Sequence, residues 1–135
     1  MDNKELLALA VEAMKKSYSP YSNCKVGTAL LCENGKVYTG PNIENAAFSP
    51  TVCAERVAFF KAISEGENAF SKIAVVGGKN GVINGMFAPC GVCRQVMREF
   101  CDDNFQIILG KSDTEFSVAT LKELLPYSFS PEDVK

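Results

Sequence analysis

Lys72-Ile73-Ala74-Val75-Val76-Gly77-Gly78 and Phe105-Gln106-Ile107-Ile108-Leu109-Gly110 are two short apolar runs, and a helix-length segment, Gly91 to Cys101, lies between them. Continuous apolar runs of this length suit strands buried on both faces of a sheet. Toward the C-terminus only Lys111 to Thr114 separate the second run from Glu115-Phe116-Ser117-Val118-Ala119, which reads as an edge strand. So short a link permits an antiparallel hairpin but no crossover helix. Leu121 to Pro126 then forms a last helical turn before a tail of Pro, Ser and Phe. Toward the N-terminus a helix is predicted from about Cys53 to Glu65, preceded by strands Val26 to Cys32 and Lys36 to Gly40. Between those strands Asn34-Gly35 readily takes the positive φ angles of a tight hairpin turn. Asp2 or Asn3 can cap a first helix, whose Leu6, Leu7, Ala10, Val11 and Met14 recur at helical spacing. Helix, hairpin, then strands alternating with helices predict an α/β fold, a three-layer α/β/α sandwich around a mixed five-stranded sheet. Neither linker nor repeat interrupts it, so residues 1–135 read as a single domain.

Composition narrows the partners. A 47% hydrophobic and 22% charged chain of 135 residues is that of a globular protein large enough for a sizeable core. A formal charge of −2 and a pI near 5.2 supply no basic field for phosphate neutralisation, so a small-molecule partner is expected rather than nucleic acid. The apolar run Leu6 to Val11 is cut by Glu12 and is too short for a signal core. No stretch approaches a membrane span. A cytoplasmic location follows as the expectation, and there six cysteines suit metal or thiol chemistry better than disulfides.

The chemistry concentrates in Cys53-Ala54-Glu55 and Pro89-Cys90-Gly91-Val92-Cys93. Each group sits where a helix is predicted to start. Cys90 and Cys93 can reach one ion from a single helical turn, and Cys53 can be the third ligand. Soft thiolates suit zinc, and three protein ligands leave the fourth tetrahedral position for water or substrate. A Cys-x-x-Cys alone also reads as a redox pair or as half of a structural four-cysteine site. The pair here lies late in the chain, unlike a thioredoxin-type motif, and no second Cys-x-x-Cys completes a structural site. Glu55 discriminates further, because neither structural zinc nor dithiol exchange needs a carboxylate there. Its ordinary reading is an acid in the first turn of a helix. Cys24, Cys32 and Cys101 lie among apolar neighbours and read as small core or pocket residues.

These two groups join Asn42-Ile43-Glu44-Asn45-Ala46, Arg56, Arg94-Gln95, Ser19-Pro20-Tyr21-Ser22 and Leu124-Leu125-Pro126-Tyr127-Ser128-Phe129 in one register. Together they resemble the small, homotetrameric, zinc-dependent cytidine deaminases over nearly the whole chain. The resemblance implies one Zn²⁺ per chain on Cys53, Cys90 and Cys93, with Glu55 as the catalytic proton carrier, as in zinc deaminases generally. It implies hydrolysis of free cytidine and deoxycytidine in pyrimidine salvage. Asn42 and Glu44 would bind the ribose 3′-hydroxyl, and the main chain of Ala54 would help read the pyrimidine edge. Three thiolates and one Zn²⁺ sum formally to −3 + 2 = −1, and Arg56 would draw off some of that charge. Arg94 is either a second such donor or a surface or interface residue. Phe129 would reach the base bound by a neighbouring subunit, giving a homotetramer with shared sites. Cys24 stands where many relatives carry Phe, which leaves less aromatic wall and a wider pocket. Deamination of another cytosine-bearing molecule, such as the antibiotic blasticidin S, is disfavoured by the sugar-type Asn42 and Glu44. Editing of nucleic acid is disfavoured by the acidic pI and the short final strand link.

Overall fold

The computed structural model describes residues Met1–Lys135. Five strands, β1 (Cys24–Cys32), β2 (Val37–Pro41), β3 (Phe70–Lys79), β4 (Gln106–Gly110) and β5 (Phe116–Thr120), form one sheet in the order β2-β1-β3-β4-β5. β3 and β4 are parallel and the other three pairings antiparallel, so the sheet is mixed. The apolar run around Val75 is indeed its central strand, and β5 is an edge.

Alternation along the strands divides the core in two. Ile73 and Val75 of β3, with Leu30, Ile107 and Leu109, face α2 (Ala54–Ser64) and α3 (Gly91–Phe100) in a 15-residue cluster. Ala74 and Val76, with Ala29, Leu31 and Ile108, face α1 (Asn3–Met14) in a 9-residue cluster. The three layers are therefore α1, the sheet, and α2 with α3. Asp2 caps α1, and Glu5 returns the bond in a capping box that satisfies two otherwise free donors.

One local expectation fails. Of Asn34 and Gly35 only the glycine has positive φ, at 89°. Gly35 N–H donates to the Cys32 carbonyl, and Cys32 N–H to the Lys36 carbonyl, so the loop has three residues. A right-handed turn followed by a left-handed glycine closes the hairpin as well as a two-residue turn would, and it spares Asn34 the positive φ. Asn34 instead donates from Nδ2 to both carboxylate oxygens of Glu67.

What positions the site is the seat of α2. A Cβ on Gly40 would come within 2.7 Å of the Ala54 carbonyl and of the Ala58 amide, so only glycine lets the first turn of α2 approach β2 this closely. Thr28, wholly buried on β1, places its hydroxyl 3.0 Å from the Ala54 carbonyl and 3.1 Å from that of Gly40. Sheet and helix start are thereby tied together at the residue between Cys53 and Glu55.

Candidate active site

Cys53 and Cys90 are the residues immediately before α2 and α3, and neither side chain caps its helix. Their sulfurs are therefore free, and they lie at the positive ends of two helix dipoles. Cys93 follows one turn into α3 and is buried. The Cys53 and Cys90 sulfurs are 3.8 Å apart, those of Cys90 and Cys93 are 3.6 Å apart, and all three lie within 4.8 Å of one another. Sulfurs each about 2.3 Å from one tetrahedral zinc stand about 3.8 Å apart, so the set fits that ion.

Three sulfurs so close cannot all ionise without a cation among them. The hydrogen bond from Cys93, ahead of that from Arg56, holds the Cys53 thiol well below its ordinary range, while the same sulfur–sulfur bond raises Cys93. Arg56 Nη2 lies 3.6 Å from Cys53 Sγ, and Arg56 Nε is buried with no partner. The guanidinium thus faces the sulfur cluster.

Arg94 does something else. Its Nε donates to the Pro89 carbonyl and its Nη1 to the Leu124 carbonyl, both at 2.7 Å. It is neither a sulfur partner nor a loose surface cation, but a clamp between the turn that carries Cys90 and the C-terminal segment.

Glu55 lies in the first turn of α2, two residues from Cys53, and is only 4% exposed. Burial pushes its carboxyl up to about 7, against a smaller opposing pull from its own main-chain amide. A helix start would ordinarily favour the charged form, by at most about 2 kcal/mol. Desolvation outweighs it here, and the carboxyl can hold or release a proton near neutrality.

The remaining candidates gather around the same helix start. Ile43 pairs with Val52 through main-chain bonds of 3.0 and 2.9 Å, which pins Asn42 to Glu44 beside Cys53. Asn42 is 8% exposed; its Oδ1 accepts from the Val26 amide at 2.9 Å, and its Nδ2 donates to the Cys24 carbonyl at 2.8 Å. Glu44 accepts at Oε1 from the amides of Tyr21 and Ser22, at 3.0 and 3.2 Å, and at Oε2 from Ser22 Oγ. The Ser22 hydroxyl bond, aided by the two amides, holds its carboxyl below the usual range. Ala54 is fully buried and Cys24 half-buried, at the start of β1. Gln95 Nε2 donates to the Phe129 carbonyl at 2.8 Å, which fixes the tail on α3 while the Phe129 ring stays 62% exposed. Cys32 and Cys101 stand apart, their thiols each pushed up to about 12 chiefly by burial. Sequence reasoning missed Thr28 altogether, and it met Ser22 and Gln95 only as parts of motifs, without the contacts they make to Glu44 and to the Phe129 carbonyl.

A three-thiolate centre on two helix starts leaves one tetrahedral position to a non-protein ligand, which separates the catalytic class of zinc sites from the structural one. Comparison with known proteins specifies the class further. Residues 1–109 match the family described as "Cytidine and deoxycytidylate deaminase zinc-binding region". A cytidine deaminase of Sporosarcina psychrophila is 45% identical over 134 residues, covering 99% of this chain and 96% of that protein. One from Halalkalibacterium halodurans is 43% identical, covering 99% and 98%. The crystal structure of cytidine deaminase from Burkholderia pseudomallei superposes with a TM-score of 0.88 at 41% identity, over 96% of this chain and all of that one. The chain belongs to the cytidine and deoxycytidylate deaminase family of zinc-binding enzymes.

Proposed function

We propose that this chain hydrolyses the 4-amino group of free cytidine and 2′-deoxycytidine, releasing ammonia and uridine or deoxyuridine, in pyrimidine salvage in the cytoplasm. The observation that carries the reading is Glu55, a buried carboxyl poised near neutrality two residues from Cys53, itself one of three clustered thiols. Cys53, Cys90 and Cys93 would hold Zn²⁺, which when bound supplies the Lewis acidity that makes water a nucleophile near neutral pH. Glu55 takes a proton from the water that adds to C4 and passes it to ring N3. It then takes the remaining proton of the new C4 hydroxyl and delivers it to the amine as the C4–N bond breaks, leaving the C4 carbonyl and ammonia, the shuttle general to zinc deaminases. The Ala54 main chain reads the edge of the base beside it. Arg56 moderates the thiolate charge.

Asn42 and Glu44 bind the 3′-hydroxyl. The amide has an N–H to spare and the carboxylate a free lone pair, which is the pairing a hydroxyl needs. Cys24 forms a wall smaller than an aromatic ring, which leaves room for substituted bases. The chain acts as one domain and assembles as a homotetramer with Phe129 completing a neighbour's site. The exposed rings of Phe129 and Phe48, 62% and 70% accessible, support such an assembly.

Mixing the purified protein with cytidine should bring the ultraviolet change of uridine formation. Prior removal of zinc by a chelator should abolish it, and zinc should restore it. Full activity in protein shown by elemental analysis to lack metal would overturn the zinc mechanism.

A further inference from the structure

Asn42 is held from behind by a row of side chains that the reaction itself does not use. Its Oδ1 lies 2.9 Å from the Val26 amide and 2.5 Å from Ser17 Oγ, while its Nδ2 lies 2.8 Å from the Cys24 carbonyl. A main-chain amide can only donate and a carbonyl only accept, so the side-chain amide has one admissible orientation. Oδ1 is the acceptor, and the Ser17 hydroxyl must donate to it. Ser19 Oγ lies 3.1 Å from Ser17 Oγ. A hydroxyl has one hydrogen, so Ser17 cannot give a full bond to both oxygens, and the shorter contact, to Asn42 Oδ1, takes it.

The link that bears on the sugar site is therefore the one from Ser17 into Asn42. At the far end both lone pairs of Oδ1 are occupied, and a single Nδ2 hydrogen is free. We infer that Ser17 is a positioning residue that holds Asn42 in the donor orientation set by the Val26 amide and the Cys24 carbonyl, so that the site selects nucleosides whose 3′-hydroxyl accepts from Asn42 while donating to Glu44. The inference rests on the proposed sugar-binding role of Asn42 and Glu44. Glu44 is the built complement, since its carboxylate can only accept and the Tyr21 and Ser22 amides and the Ser22 hydroxyl hold it in place.

The test compares 2′-deoxycytidine with 2′,3′-dideoxycytidine, which differ only in that hydroxyl. The ratio of their kcat/KM values is measured for the parent, Ser17→Ala, Ser17→Thr and Glu44→Gln. Ser17→Ala should lower the ratio about fivefold, the order expected for weakening one hydrogen bond, through a raised KM for 2′-deoxycytidine with little change in kcat. Ser17→Thr, which keeps the hydroxyl, should restore it. Glu44→Gln should lower the ratio as well. If Glu44→Gln lowers the ratio and Ser17→Ala leaves it at the parent value, the sugar-binding reading survives and the inference is overturned. If neither variant moves it, the sugar-binding reading itself fails and takes the inference with it.

Discussion

At Glu55 two forces compete, and their balance can be read from pH. The carboxyl is pushed up to about 7 by burial, whereas in the unfolded chain it titrates near 4.5. Folding therefore favours its protonated form. The stability so contributed is complete below the unfolded value and declines as pH rises toward the folded one. The zinc centre does not reverse the sign, because three thiolates and a divalent cation leave a formal −1 beside the carboxyl. Glu55→Gln removes the titration, so the zinc-loaded variant should gain stability relative to the parent as pH rises. Between about pH 5.5 and about pH 8 the gap should widen by about 2 kcal/mol. Urea unfolding of both proteins at the two pH values measures it, and a gap independent of pH would show that Glu55 is not buried as a neutral acid. Cys53, Cys90 and Cys93 were legible at this scale because zinc chemistry dictates residue type and spacing together. Arg94 was not. Being next to a ligand in sequence says nothing of where a long side chain turns, and it turns to the carbonyls of Pro89 and Leu124.

Among the elements, β3 and β4 could be read directly because strands buried on both faces have nothing but apolar residues to show. The starts of α2 and α3 were marked by their cysteines. The β1–β2 hairpin is legible in the sequence but its turn type is not, since Asn34-Gly35 also serves a three-residue loop in which the glycine alone is left-handed. The ties between elements left no local trace. Thr28 meets Ala54 across 26 positions of sequence, and Arg94 meets Leu124 across 30. The Arg94 clamp has a measurable consequence. Arg94→Lys keeps the charge but cannot span two divergent carbonyls from a planar fork, so it should lower stability by about 1–2 kcal/mol in urea unfolding. An unchanged midpoint would show that the clamp contributes nothing. Loss of stability should be accompanied by easier proteolysis after the last helical turn, α4 (Leu121–Leu124), where the tail is otherwise held by Gln95.

For the whole molecule, the proposed assembly follows from what a single chain leaves uncovered. The sulfur centre stands on the face of α2 and α3, and the tail that crosses α3 turns the Phe129 ring outward rather than into its own core. A symmetric tetramer, most simply with D2 symmetry, would give that ring a base to cover in a neighbouring subunit. Mixed tetramers of Phe129→Ala and Glu55→Gln chains would then contain sites with both groups intact. Their activity should exceed the summed activities of the two parent variants, each strongly impaired alone. A fully active protein that sediments as a monomer would rule the shared site out. The central claim is narrower, that a buried carboxyl beside a three-thiolate zinc centre carries the proton in cytidine hydrolysis. Glu55→Gln tests it most directly, with zinc content and the rate of cytidine conversion measured on the same preparation. The variant should hold about one zinc per chain, as in the parent, with turnover reduced by roughly 10³-fold or more. A zinc-loaded Glu55→Gln protein that deaminates cytidine near the parent rate would contradict it.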